Sequence, residues 1–217
     1  MNFYPKPVKL HDCRSVGDST RAELFVVEGD SASKSVARAR DSEFQAVLPM
    51  QGKPRNAIKA SKNAIAKNNL YGALIDCIGA GWDDEFDLDL MRYQRVLLLF
   101  DPDADGIHCG ALALMFFFRW MRPVLESGRL SVVRPPLYEI SSVDYTDKIH
   151  AYSEGHYRDL RQALDEKRIR YKGHRYRGLA SMNDDTLVQT CLNPQTRRDF
   201  LLGRDDAEAA IRAFGGK

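Results

Sequence analysis

The most informative segment of the chain is Val96-Leu-Leu-Leu-Phe-Asp-Pro-Asp-Ala-Asp-Gly106. Its first five residues are all apolar, a pattern typical of a central parallel strand that is buried on both faces. Three aspartates then alternate with other residues directly after the predicted strand. If the backbone stays extended there, the three side chains share one face, because successive side chains of a strand point to opposite sides. The segment therefore predicts a buried strand that ends in a cluster of carboxylates.

The clustered carboxylates, Asp101, Asp103 and Asp105, predict a metal site. Their mutual repulsion would be relieved by a raised pKa of one carboxyl group or by a hard cation, and oxygen ligands suit Mg²⁺ or Ca²⁺. The same pattern opens an EF-hand calcium loop, which requires a glutamate at its twelfth position and a helix before it. The twelfth position is Leu112 and an apolar strand precedes the motif, so we reject an EF-hand.

Other apolar runs predict the rest of a parallel sheet. Glu23-Leu-Phe-Val-Val27 predicts a second buried strand, and residues 46–50 and 130–133 predict two more. Because stretches with helical composition separate these runs, the sequence predicts an α/β fold. Ligand sites of such sheets lie outside the carboxyl ends of the strands, so Glu28 is expected to join the aspartates. Taken alone, Glu28 would be an ordinary turn residue beside a helix cap.

Composition narrows the class of protein. The chain has 217 residues, of which 44% are hydrophobic, so it is long enough for one domain with a core and a smaller unit. We expect an extended lead-in at 1–20, the α/β domain at 21–140 and a small, mostly helical C-terminal tail at 141–217. The four cysteines are far apart and form no C-x-x-C pair, which predicts buried free thiols and no zinc site. Without a signal peptide or a bilayer-length apolar run, we expect a cytoplasmic protein with no membrane contact.

One segment of the tail is strongly basic. The net charge is only +2, yet residues 167–177 hold six Lys or Arg and no acid. The basic side chains are interleaved with Tyr171 and Tyr176, a pattern that suits phosphate contact with local base stacking. A solvated protein surface can carry such a charge run as well. The residues that we expect to contact DNA here are Arg170, Lys172, Arg175 and Arg177.

An ordered set of motifs resembles the B subunits of bacterial type IIA topoisomerases, gyrase and topoisomerase IV. The first three are similar to the family's first TOPRIM motif, its proline–glycine–lysine turn and its D-x-D-x-D-G-S-H motif. The others resemble the strand and loop that close the TOPRIM domain and the family's C-terminal tail. In order, they are residues 23–32, 48–53, 100–108, 128–140, 175–183 and 193–198. The resemblance implies a TOPRIM Rossmann-like parallel sheet flanked by helices.

The resemblance also implies roles for the acidic residues. Glu28 would act as the general acid/base of DNA strand cleavage and religation, and as a metal ligand. Asp101 and Asp103 would hold Mg²⁺, with Asp105 nearby. A divalent ion suits this reaction, because phosphodiester cleavage builds negative charge on the attacking and leaving oxygens.

Two further residues and one partner are implied. Lys53 and His108 would complete the catalytic set and contact DNA near the scissile phosphate. The nucleophilic tyrosine of the family belongs to the A subunit, so the implied partners are DNA and an A-type subunit. The family's ATPase and transducer domains do not fit before Glu23, and we therefore expect this chain to bind no ATP and to be inactive alone.

The chain departs from the family pattern beside the acids. Gln51 stands where a basic residue is usual, Ile107 replaces a serine and Gly110 replaces an arginine, while Pro102 lies between the first two aspartates. The first three changes remove polar or basic groups, which predicts weaker DNA binding. Two alternatives therefore stay open: a truncated paralogue that binds Mg²⁺ and DNA or a gyrase partner without turnover, and a TOPRIM nuclease that uses a metal-bound water.

Overall fold

The computed structural model describes residues 9–18, 20–144 and 146–216. Within these ranges the strands are Glu23–Glu28 (β1), Gln45–Met50 (β2), Arg95–Leu99 (β3), Leu130–Val133 (β4), Tyr138–Ser142 (β5), Ile149–Ala151 (β6), Tyr171–Arg175 (β7) and Asp199–Leu201 (β8). The α-helices are Gly29–Ala39 (α1), Lys62–Ala66 (α2), Asn69–Ile78 (α3), Ala104–Trp120 (α4), Arg122–Glu126 (α5), Glu154–Glu166 (α6), Asp184–Leu187 (α7) and Arg204–Ala210 (α8).

A five-stranded sheet in the order β2-β1-β3-β4-β8 forms the centre of the fold. The first four strands pair in parallel, and β8 adds to the edge as an antiparallel strand. β3 lies in the middle, as its apolar sequence predicts. The α/β class with a mostly parallel sheet is thus confirmed.

Both faces of the central sheet are covered. On one face Leu24 and Val26 of β1 pack into a core that includes Tyr71 of α3 and Phe116 of α4, whose rings stack with centroids 4.3 Å apart. The alternate residues of β1 face a second core, which α1 and the segment from residue 176 to residue 192 complete. Coverage by helices on both faces explains why these strands are continuous apolar runs.

The C-terminal part contains strands that the sequence did not predict. β5, β6 and β7 form a separate antiparallel sheet in the order β6-β5-β7. The chain then returns to the central sheet, where α7 packs against α1, β8 pairs with β4 and α8 packs against α4. The predicted division at residue 140 falls inside β5, and it stays a prediction. Of the predicted lead-in, residues 1–8 and 19 lie outside the described residues, while His11 bridges to Val47 of β2.

A buried ion pair ties the returning chain to the sheet. The Arg197 side chain is 0% exposed, and its guanidinium donates to both carboxylate oxygens of Glu23 at 2.7 and 2.5 Å. The amide nitrogen of Gln45 also donates to Glu23, at 3.1 Å, and to the carbonyl of Leu192, at 2.7 Å. Such a fork of charge-assisted hydrogen bonds fixes geometry as well as supplying energy. It lies where β1 and β2 begin, at the opposite end from Glu28.

Two expectations about composition can be compared with the structure. All four cysteines are free and buried, as predicted. The described residues form no helix that is both long enough and apolar enough to cross a membrane.

Candidate active site

The predicted carboxylates come together at the ends of neighbouring strands. β1 and β3 are paired in parallel, with Val27 opposite Leu99, so Glu28 and Asp101 leave the sheet side by side. Glu28 directly precedes α1, and Asp103 caps the start of α4 by accepting the Gly106 N–H at 2.8 Å. The strand-end rule used on the sequence therefore places these residues correctly.

Electrostatic repulsion connects the acids. Burial raises the pKa of Glu28, and the negative charges of Asp101, Asp103 and Asp105 raise this pKa further. Burial also raises the pKa of Asp101, with a contribution from Asp103, while a backbone hydrogen bond from Leu179 opposes the shift. The site therefore concentrates negative charge in a partly buried region of the surface.

In donor chemistry the site fits Mg²⁺. All its ligand atoms are carboxylate oxygens, and Glu28 has no basic side chain paired with it in the described structure. Its hydrogen-bond donor is the Cys109 thiol, with a long Sγ to Oε1 distance of 3.9 Å. Across the described ranges no three His, Cys, Asp or Glu side chains converge closely enough to hold an ion as they stand. Asp103 and Asp105 are exposed, so small rotations of these side chains are open to them.

The structure places Lys53 and His108 differently. Lys53 follows β2, and its Nζ lies 3.1 Å from Oδ1 of Asp105, so it borders the acids as expected. His108 lies on the first turns of α4, where its ring stacks on Phe214 with centroids 4.8 Å apart. The amide of Asn56 holds this C-terminal segment through the carbonyl of Phe214. His108 thus faces the end of the described chain.

The basic segment forms the exposed strand β7 and its flanks. Lys172 is exposed on β7, and Arg170 and Arg177 are exposed just outside it. Arg175 points to the other face of the small sheet, since it lies three residues from Lys172. There its guanidinium is 5.9 Å from the Tyr138 ring centroid and 3.5 Å from a carboxylate oxygen of Glu154. The four basic residues are therefore close in sequence but divided between two faces.

Sequence reasoning missed one part of the site. The backbone N–H of Leu179 donates to Oδ1 of Asp101 at 2.8 Å. Gly178 beside it has φ +146, and a Cβ there would lie 2.8 Å from Cγ of Asp101. Gly106 also approaches Asp101 closely, because a Cβ at 106 would overlap the Asp101 carbonyl oxygen. Glycine at 178, next to the basic segment, was the signal in the sequence, but it did not indicate a partner.

The sheet and the acids at its strand ends define a Toprim domain. The sequence profile described as "Toprim domain" matches residues 23–135, which is more than half of the chain, and the chain belongs to this family. It is similar to the DNA gyrase B subunits of Thermotoga maritima, at 41% identity over 208 residues, and of Archaeoglobus fulgidus, at 40% over 208 residues. The DNA gyrase B subunit of Mycobacterium tuberculosis is 40% identical over 212 residues. These matches cover 96% of this chain but only 32%, 32% and 31% of the respective relatives. The resemblance stated from the motifs is thereby confirmed.

Proposed function

We propose that the chain is the Toprim component of a type IIA DNA topoisomerase, which supports DNA strand cleavage and religation together with a tyrosine-bearing A-type subunit. The observation that carries this proposal is the half-buried Glu28, which faces three aspartates and has no basic partner among the described residues. Such a group suits a site that binds a divalent ion and moves a proton. The relatives named as DNA gyrase B subunits support the same reaction. A cytoplasmic location is part of the proposal.

Each acid has a proposed task. Asp101 and Asp103 would hold Mg²⁺, with Asp105 beside them, and the bound ion would supply stabilisation for charge on the attacking and leaving oxygens. Glu28 would accept the proton of the attacking hydroxyl during cleavage and return it during religation. Its raised pKa suits both directions, because a general acid/base works best when its pKa is near the working pH.

The basic residues would bring DNA to the acids. Lys53 offsets the charge of Asp105, so it would reduce the repulsion between this corner of the site and a phosphate. His108 would contact the scissile region after the Phe214 ring leaves its face. Arg170, Lys172, Arg175 and Arg177 would contact phosphates further along the duplex.

Reconstitution tests the proposal. The chain, mixed with a gyrase A-type subunit, Mg²⁺ and supercoiled DNA, should give double-strand breaks on denaturation, and the chain alone should give none. Breaks made equally well without the A-type subunit would favour the nuclease alternative. Stable binding of DNA and Mg²⁺ without any cleavage in the mixture would favour the non-catalytic paralogue.

One observation supports the non-catalytic alternative. The Ile107 side chain is 62% exposed beside the acids, and Gln51 donates to Asp30 at 2.8 Å instead of presenting a cation. Both features reduce the positive charge and polarity available to a phosphate. A chain with this surface would retain its metal ligands but bind DNA less tightly than a gyrase does.

The metal assignment predicts that Asp103→Ala weakens Mg²⁺ binding about tenfold or more. Loss of an inner ligand should cost at least as much as loss of an outer-shell partner, for which about 10–100-fold is typical. Titration calorimetry on the wild type and the variant measures the change. Asp159→Ala is the matched control, because Asp159 is an exposed acid on α6 whose side chain is 76% accessible. Equal Mg²⁺ affinity in Asp103→Ala and the wild type would contradict the assignment.

The basic segment predicts a change in the salt dependence of DNA binding. Combined replacement of Arg170, Lys172 and Arg175 by alanine should reduce the slope of log K against log salt by about 3, or about 1 per lost phosphate contact. The reduction should be the same for unrelated DNA sequences, because phosphate contacts carry no base information. Fluorescence anisotropy across a salt series measures it.

A matched triple variant controls for the loss of three charges. Arg14, Arg158 and Arg204 have highly exposed side chains, with accessibilities of 78%, 81% and 71%, and none belongs to the basic segment. Their replacement by alanine should leave the salt slope near that of the wild type. If both triple variants had the same slope, the segment would be an ordinary solvated surface.

A further inference from the structure

We propose that Gly178 and Leu179 of the C-terminal part are positioning residues, which orient the carboxylate of Asp101 for metal binding. The proposal rests on the proposed function, because it requires Asp101 to hold the ion. It goes further in assigning part of the metal site to a segment beyond residue 135, where the Toprim match ends. In this arrangement the metal site is incomplete until the C-terminal segment has docked.

The contact with Asp101 is close on two sides. The Leu179 N–H donates to Oδ1 at 2.8 Å, a normal distance for a hydrogen bond to a charged acceptor. Gly178 packs so closely against the same carboxylate that a Cβ at 178 would overlap Oδ2. The hydrogen bond and the packing together restrict rotation of the carboxylate, which the repulsion of Asp103 would otherwise turn away.

The donor itself is held rigidly. The Leu179 side chain is 0% exposed and belongs to the core beneath β1 and β3. The hydroxyl of Ser181 accepts the Arg177 N–H at 3.0 Å and donates to the Gly178 carbonyl at 2.7 Å, which closes a tight turn around the contact. Because one end of the turn is buried and the turn is internally bonded, Leu179 acts as a fixed donor.

The same turn joins the metal site to the basic strand. β7 ends at Arg175, and the Tyr176 side chain that follows is buried, with its hydroxyl donating to Glu139 at 2.5 Å. Only Arg177 then separates this anchored tyrosine from Gly178. A strand proposed to lie on DNA therefore runs directly into the turn that orients a metal ligand.

The test is the Mg²⁺ affinity of Gly178→Ala. The added methyl group must displace the Asp101 carboxylate, and groups that orient a ligand typically change metal affinity by about 10–100-fold, so we expect a loss of about tenfold. Gly128→Ala is the control. Gly128 also has a positive φ, of +70, but a Cβ there would meet no heavy atom within 4 Å. Gly128→Ala should retain wild-type Mg²⁺ affinity, and thermal unfolding in EDTA shows whether each variant is folded.

A double-mutant cycle separates positioning from general damage. Asp101→Ala should weaken binding by itself, and adding Gly178→Ala to it should cost no further affinity. If Gly178→Ala left the affinity of the otherwise wild-type chain unchanged, or lowered it equally in both backgrounds, the positioning role would be overturned. If Asp101→Ala itself left the affinity unchanged, the proposed metal function would fail instead.

A milder variant keeps the test valid if Gly178→Ala does not fold. Ser181→Ala removes both hydrogen bonds that close the turn but places no new atom against Asp101. We expect a smaller loss of Mg²⁺ affinity that again disappears in the Asp101→Ala background. A folded Ser181→Ala protein with wild-type affinity would overturn the proposal.

Discussion

Glu28→Gln is expected to slow Mg²⁺-dependent DNA cleavage by about 10²–10⁴-fold when the chain is combined with an A-type subunit. Glutamine keeps the size and shape of the side chain but can neither accept nor release the proton in question. The environment of Glu28 makes the loss large. Burial and three neighbouring aspartates raise the pKa of this carboxyl group, and no other proton acceptor with these properties lies at the end of β1 in the described structure.

The measurement needs to separate proton transfer from metal binding. Cleavage rates at saturating Mg²⁺ report the chemical step, while calorimetry on the same variant reports the affinity for the ion. Glu126→Gln is the matched control, because Glu126 is exposed at the end of α5 and far from β1 in the sequence. A Glu28→Gln protein that cleaves at the wild-type rate would exclude Glu28 as the general acid/base.

Arg197→Met is expected to lower the free energy of unfolding by about 3–5 kcal/mol, because it leaves a buried carboxylate without its counter-ion. Glu23 has a side-chain accessibility of 7% and accepts two hydrogen bonds from Arg197. The Gln45 amide would be its remaining donor, and it is shared with the carbonyl of Leu192. Chemical denaturation followed by circular dichroism measures the change.

Two variants bracket this expectation. Arg198→Ala is the neighbouring control, since Arg198 is exposed and its guanidinium lies over the Tyr152 ring at 4.3 Å. It should change the stability far less. The double variant Glu23→Met, Arg197→Met should recover much of the loss, because an apolar pair of similar size often replaces a buried ion pair without cost. A single Arg197→Met variant as stable as the wild type would show that the pair is not needed.

The central sheet was predictable because burial on both faces leaves a simple mark in the sequence. β1 and β3 are uninterrupted apolar runs, and helical segments lie between them. β7 has no such mark. Its sequence, Tyr-Lys-Gly-His-Arg, is mostly exposed, and it is a strand because it pairs with β5, about 30 residues earlier in the chain. A pattern read locally cannot reveal a strand that depends on its partner.

The site was predictable to a similar extent. Glu28 and the aspartates follow from the rule that ligands bind at the carboxyl ends of parallel strands, which needs only the strand ends. The Leu179 donor could not be found this way. Every residue except proline has a backbone N–H, and this one reaches Asp101 from 78 positions further along the chain. The contact between His108 and Phe214 likewise depends on how the end of the chain folds back.

The buried pair between Glu23 and Arg197 has a consequence for how the chain folds as it is synthesised. The two residues are 174 positions apart, so the first strand of the sheet receives its counter-ion only after nearly all of the sequence has left the ribosome. Contacts of such long range are slow to form, because a large loop must close before they contribute any stability. Until then β1 would be an apolar strand with an unneutralised carboxylate at its start. The nascent chain therefore has a strong dependence on its own last quarter, and a ribosome that stalls before residue 197 leaves a sheet that cannot be completed.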